Sequence, residues 1–120
     1  MITIPQRVLG EALIFSARNW PSKTAVVIKT REYSYSALKA SAESIAHHLV
    51  FSGIKKGDRV AVYMNNSWQS VVSIYGITLA GAAFLVINPQ TKADKLHYIL
   101  KDSGAKILFS ESIQNNELSG

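Results

Sequence analysis

The sequence predicts an α/β fold: a partial, mostly parallel sheet built from βαβ units, with an antiparallel hairpin near the N-terminus. Three observations predict it. From Arg59 onward, strand-like and helix-like segments alternate, the order expected of consecutive βαβ units joined by right-handed crossovers. Ahead of them, two short runs around Thr30-Arg31-Glu32 read as a hairpin. Between Asn65 and Thr91 the chain carries no charge, yet it is punctuated by Gly81 and Asn88-Pro89. A buried helix turning through glycine into a buried strand has that pattern.

The elements follow in order. Val8, Leu9, Ala12, Leu13 and Phe15 recur at helical spacing, so residues 5–18 read as an amphipathic helix ended near Trp20-Pro21. Residues 25–29 read as a strand and residues 33–35 as its partner. Leu38, Ala42, Ile45 and Leu49 then mark one helix face, with Ser36 as candidate N-cap and Gly53 as terminator. Beyond it come strand 59–64, helix 67–80, strand 83–87, helix 92–102 and strand 106–110. Asn65, Asn66 and Ser67 supply cap residues for the first of these helices. Thr91-Lys92-Ala93-Asp94 has the form of a capping box for the second, which carries Leu96, Ile99 and Leu100 and meets Gly104 just past its end.

By hydropathy alone, an uncharged run longer than about 18 residues is a transmembrane candidate. Gly76 and Gly81 oppose that, each weakening a continuous helix by about 1 kcal/mol relative to alanine. The flanking cations, Lys55, Lys56 and Arg59 before the run and Lys92 and Lys95 after it, set no orientation. The crossover reading is the stronger, and freedom from charge predicts a segment buried on every side. A membrane protein inserted through residues 67–87 is the competing reading, excluded by recovery without detergent.

A chain of 120 residues is one domain or part of one. Its 48% hydrophobic content supplies a core, with more apolar material than a compact domain of this size can hide. The net charge of +5 comes from 13 basic and 8 acidic residues spread along the chain. The densest cluster, Lys55-Lys56-Gly57-Asp58-Arg59, reads as a solvated turn. Neither a basic stripe with stacking aromatics nor a recognition helix is present, so nucleic-acid binding is not expected. The absence of cysteine excludes disulfides, thiolate chemistry and Cys-ligated zinc. Residues Met1 to Arg7 lack the apolar core and cleavage site of a secretory signal, which makes a cytoplasmic address the default expectation. Residues 114–120 are polar enough for a frayed tail or linker.

In a parallel sheet the ligand belongs at the carboxyl ends of the strands, here Met64-Asn65-Asn66 and Ile87-Asn88-Pro89. Neither carries a glycine-rich phosphate cradle. Gly76 and Gly81 have the spacing of a P-loop, but Ala82-Ala83 stand where lysine and serine or threonine are needed, so both read as packing glycines. His47 and His48 are sequence neighbours on a helix and point about 100° apart, poor geometry for one metal. His97 follows Asp94 by three residues without a nucleophile to complete a triad. Asp94 and Asp102 lie about two helical turns apart and read as solvated charge. Trp20 and Trp68 suit packing better than a ligand pocket. No catalytic, cofactor-binding or metal residue is nominated.

The order of motifs nevertheless resembles one family, the AMP-forming adenylate enzymes. Tyr33-Ser34-Tyr35-Ser36-Ala37-Leu38 is similar to their first core motif. Gly53-Ile54-Lys55-Lys56-Gly57-Asp58-Arg59-Val60-Ala61-Val62 is similar to their strand entry, and Asn66-Ser67 to the turn after it. Residues 79–83 through Asn88-Pro89 resemble the second core motif, and Asp102-Ser103-Gly104-Ala105-Lys106 the entry to the next strand. The match covers nearly the whole chain. Asn88-Pro89 is more like the acyl-CoA synthetase branch than the amino-acid-activating domains of peptide synthetases, and Val86 departs from the usual proline.

The resemblance implies the N-terminal portion, about the first quarter, of an ATP-dependent ligase that activates a carboxylate as its adenylate and passes the acyl group to coenzyme A. A carboxylate is a poor electrophile, and such chemistry needs donors, cations and magnesium around the triphosphate. In the family those motifs lie downstream of the region matched here. ATP, magnesium and coenzyme A are therefore implied for the full-length parent, while this chain is expected to supply scaffold and to be inactive alone. Its expected partner is the remainder of the parent, or another protein covering its apolar faces; peripheral membrane association is compatible with this. A free-standing non-catalytic binding module, or a decayed gene product, is the alternative.

Overall fold

The computed structural model describes residues 6–111. The expected helix start at residue 5 and the expected tail at 114–120 lie outside them. Its elements are α1 (Gln6–Asn19), β1 (Thr24–Ile28), β2 (Arg31–Ser34), α2 (Tyr35–Phe51), β3 (Arg59–Tyr63), α3 (Trp68–Leu79), β4 (Ala83–Val86), α4 (Ala93–Ser103) and β5 (Ile107–Ser110). The α/β class is as the sequence predicts. β1 and β2 form the antiparallel hairpin, and β4, β3 and β5 form a parallel sheet in that order.

β3 is central because its side chains suit both faces of the sheet. Val60, Ala61 and Val62 are all buried, as expected of a parallel strand covered on two sides. The path runs from β3 outward to β4, then back past β3 to β5. With right-handed crossovers, that reversal puts α3 and α4 on opposite faces.

Two apolar clusters hold the layers together. Leu49, Ile54, Val60, Val62, Met64, Ile77 and Ala82 join the sheet to α2 and α3. Leu13, Leu38, Ala42 and Val72 join α1, α2 and α3, with Ala25 and Val26 of the hairpin packed against them. Ile45 touches both clusters. Its half-burial reflects that position at the seam.

Several local expectations need correction. The hairpin turns at Lys29-Thr30, with Lys29 at φ 58°, and Arg31 and Glu32 already belong to β2. Tyr35 begins α2, and its N-cap is Ser34, whose hydroxyl accepts the Ala37 N–H at 3.0 Å. The shift from Ser36 follows from the preceding turn, where the carbonyls of Lys23 and Pro21 accept the N–H groups of Tyr35 and Ser36. Those first-turn donors are already satisfied, so the helix starts two residues early. On α1 the inward stripe is Gly10, Leu13 and Ala17, whereas Phe15 is 56% exposed and Val8 and Ala12 also face solvent. The close approach of Gly10 to Thr78 and Leu79 turns the helix that way.

The capping box expected at Thr91 is absent. The N-cap of α4 is Lys92, without a side-chain bond, and Asp94 Oδ1 accepts the N–H of Lys95. Thr91 is held one residue too early, its N–H donating to Asn88 O and its carbonyl accepting from Tyr63 Oη. A capping box does form at Ser67 and Ser70 on α3. The uncharged run is not buried on every side: Val86 is 55% exposed and Phe84 and Leu85 are half-buried, because β4 is an edge strand. No helix among the described residues is long and apolar enough to cross a membrane.

Candidate functional site

The carboxyl ends of the three parallel strands are where this topology places a ligand. After β3, Met64 is buried and Asn65-Asn66 turn outward before Ser67 opens α3. Ser67 Oγ accepts the Ser70 N–H at 3.1 Å and the Ser67 N–H donates to Ser70 Oγ at 3.0 Å, fixing the start of α3. Asn65 Nδ2 donates to Glu111 Oε2 at 3.2 Å, tying the ends of β3 and β5 together.

Beside that tie lies a cavity of about 870 Å³ between α2, α3 and the end of β5. Ile45, Met64, Val72 and Trp68 give it an apolar lining, and Ser41, Ser44, Ser73, Gln69 and Glu111 add polar groups. Trp68 is held in place by stacking on Tyr33, with ring centroids 3.9 Å apart and planes 6° from parallel. The Ser73 hydroxyl is already spent, donating to Gln69 O at 2.7 Å. Glu111 is the ionisable group of this lining and no cation joins it. That donor set does not fit a triphosphate, whose charge needs cations and N–H donors.

The other strand end is closed on itself. Asn88 Oδ1 accepts the Gln90 N–H at 2.8 Å, Asn88 O accepts the Thr91 N–H at 2.9 Å, and Tyr63 Oη donates to Thr91 O at 2.8 Å. Asn88 shapes the loop, its side-chain oxygen and its carbonyl each accepting a backbone N–H from the residues that follow.

The remaining sequence candidates are scattered. His47 and His48 are exposed on α2 and His97 on α4. Among the described residues no group of three or more His, Asp or Glu side chains is placed to hold a metal. Gly76 is a packing glycine, since an added Cβ would meet Ile45 Cγ2 at 2.4 Å, and Gly81 is a turn glycine at φ 83° whose carbonyl accepts the Gly57 N–H. Trp20 sits at the surface edge-on to Phe15, 5.7 Å between centroids. Trp68 both packs and lines the cavity, so the two readings of it coincide. Burial, with Tyr35 nearby, raises the Tyr75 phenol above its ordinary value.

Sequence reasoning missed the cavity and the Asn65–Glu111 tie. Ser41 and Ser44 of α2, small residues beside the apolar stripe that includes Ile45, are the trace that the cavity leaves in the sequence. Nothing local to Asn65 announces a partner 46 positions away.

Fold and site together define an α/β protein with a three-stranded parallel sheet and a mostly apolar cavity beside the carboxyl ends of its strands. The chain belongs to the AMP-binding enzyme family, whose model matches residues 15–119. It is 33% identical over 105 residues to phosphinothricin tripeptide synthetase PhsC of Streptomyces viridochromogenes, covering 88% of this chain and 10% of that protein. It is 32% identical over 124 residues to a long-chain-fatty-acid–CoA ligase of Bacillus subtilis, covering 98% of this chain and 22% of the ligase. Among solved structures, the nonribosomal peptide synthetase FmoA3 bound to AMPPNP superposes with a TM-score of 0.86 at 30% identity, covering 97% of this chain and 12% of that one. The inhibitor-bound N-terminal domain of FACL13 from Mycobacterium tuberculosis gives 0.80 at 33% identity, covering 87% and 27%. The chain therefore spans about a quarter or less of these relatives, and corresponds to the N-terminal part of the AMP-forming adenylate enzymes.

Proposed function

We propose that this chain is the N-terminal scaffold of an ATP-dependent, AMP-forming ligase that joins a fatty acid to coenzyme A. The observation that carries the fatty-acid assignment is the alignment with the Bacillus subtilis long-chain-fatty-acid–CoA ligase along 98% of the chain, together with Asn88-Pro89, which resembles the acyl-CoA synthetase branch. In this reading the chain's own residues do structural work. Ser67 and Ser70 start α3, Tyr63 and Asn88 shape the loop after β4, and Glu111 and Asn65 bind two strand ends together. ATP, magnesium and coenzyme A belong to the parent enzyme, held by residues outside this chain, because the cavity here lacks the cations for them. A cytoplasmic setting goes with this chemistry.

The test is pyrophosphate exchange into ATP. The pure 120-residue chain is expected to show no exchange with fatty acids or amino acids, and robust exchange would refute the scaffold assignment. Reading the gene past the codon for Gly120 is the companion test. A frame continuing into a Ser/Thr/Gly-rich loop with Pro-Lys-Gly supports a parent ligase, while a stop codon favours a free-standing module. The parent should exchange with fatty acids; exchange with amino acids alone would move it to the peptide-synthetase branch.

A further inference from the structure

The outer face of α1 carries an apolar stripe. Gly10, Leu13 and Ala17 point inward, and Val8, Ala12 and Phe15 fall on the opposite face at helical spacing. Val8 is 39% and Phe15 56% exposed, and Trp20, 48% exposed just past the helix end, meets Phe15 edge-on. A solvent-facing aromatic pair is the kind of anchor around which protein interfaces are built. Two opposite charges flank the stripe on one side. Glu11 and Arg18 are seven residues apart, so both lie on the same edge of the helix. Each also borders an intrachain pocket, Glu11 with Lys56, and Arg18 with Lys39 and Glu43, which are bonded to each other at 2.9 Å. A carboxylate accepts from more than one cation and a guanidinium has five donors, so those neighbours are compatible with a second partner for each. Lys23, 5.9 Å from the centre of the Trp20 ring, is a further charge at the border of the stripe.

The order of these charges along the helix selects the occupant. An antiparallel copy of α1, related by a two-fold axis level with Ile14 and Phe15, sets Glu11 against the partner's Arg18 and Arg18 against the partner's Glu11. The same operation brings Phe15 beside the partner's Phe15 and Val8 near the partner's Trp20, so the apolar stripe is self-complementary too. A parallel pairing in register opposes like charges instead. We propose that two copies of this chain associate through α1 in this isologous, antiparallel arrangement. No α1 residue lines the cavity beside Glu111, so the pairing is independent of the ligase assignment.

The test is sedimentation velocity of the 120-residue chain over a concentration series. One helix pair buries less than the roughly 1,200 Å² of a standard interface, so a reversible monomer–dimer equilibrium is expected between about 10 and 500 µM. Phe15→Ser should weaken the dimer about tenfold or more, since both copies lose an aromatic anchor. Arg18→Glu creates two like-charged pairs by symmetry and should weaken it roughly tenfold at low salt, less at high salt. Glu11→Arg combined with Arg18→Glu restores opposite charges across the axis and should recover the affinity. Val86→Ser removes an exposed apolar side chain from the edge strand β4 and should change nothing. A monomer throughout the series would overturn the proposal. So would oligomers that Phe15→Ser leaves intact, or a double reversal that keeps the parent's circular dichroism without recovering the dimer.

Discussion

Gly76 and Ile45 hold α3 against α2 at a distance that permits no side chain at position 76: a Cβ there would lie 2.4 Å from Ile45 Cγ2 and 3.0 Å from the Ala42 carbonyl oxygen. Gly76→Ala improves helix propensity by about 1 kcal/mol, but overpacking of a tight contact costs roughly 1–3 kcal/mol. The expected result is net destabilisation, read as a lower urea midpoint. Ile45→Ala should rescue it only in part, because the Ile45 Cβ itself lies 2.5 Å from the added carbon. A Gly76→Ala variant as stable as the parent would show that the helices separate freely.

Tyr33 and Trp68 join the hairpin to the start of α3 through their stacked rings. A double-mutant cycle with Tyr33→Leu and Trp68→Leu should give a coupling of about 0.5–1.5 kcal/mol. Additive effects would show that the hairpin docks through Ala25 and Val26 alone.

The two cap assignments for α2 separate by mutation. Ser34→Ala should cost about 1 kcal/mol, as N-cap losses do, whereas Ser36→Ala at an exposed first-turn site should stay within about 0.5 kcal/mol. Ser67→Ala should cost about as much as Ser34→Ala, because it breaks the reciprocal pair with Ser70. Chemical denaturation midpoints decide each case.

Tyr75 sets an alkaline limit. Burial raises its phenol above 10.0, with Tyr35 adding to the effect, so the folded state holds the proton more tightly than the unfolded chain. The stability linked to this group is fully present below the ordinary tyrosine value and is lost as pH rises through the folded one. In an absorbance titration Tyr75 should ionise above the ordinary tyrosine value, and Tyr75→Phe should flatten stability above about pH 10. Ionisation of Tyr75 at the ordinary tyrosine value in the folded protein would contradict this.

Element type and order were legible in the sequence because each rests on local periodicity. Leu38, Ala42 and Leu49 mark one helix face at any tertiary position, and Gly81 with Asn88-Pro89 breaks the uncharged run whatever lies around it. The family was legible for the same reason, as a series of short motifs in order. Tertiary structure alone decided which strand is central and which lies at an edge, and so left Val86 in solvent while Val60 and Val62 are buried. It also moved the α2 cap to Ser34 through the carbonyls of Pro21 and Lys23, turned Phe15 outward, and joined Asn65 to Glu111. Periodicity reports which side chains avoid water, but what covers them depends on chain crossings that bring distant segments together, and no local pattern encodes those.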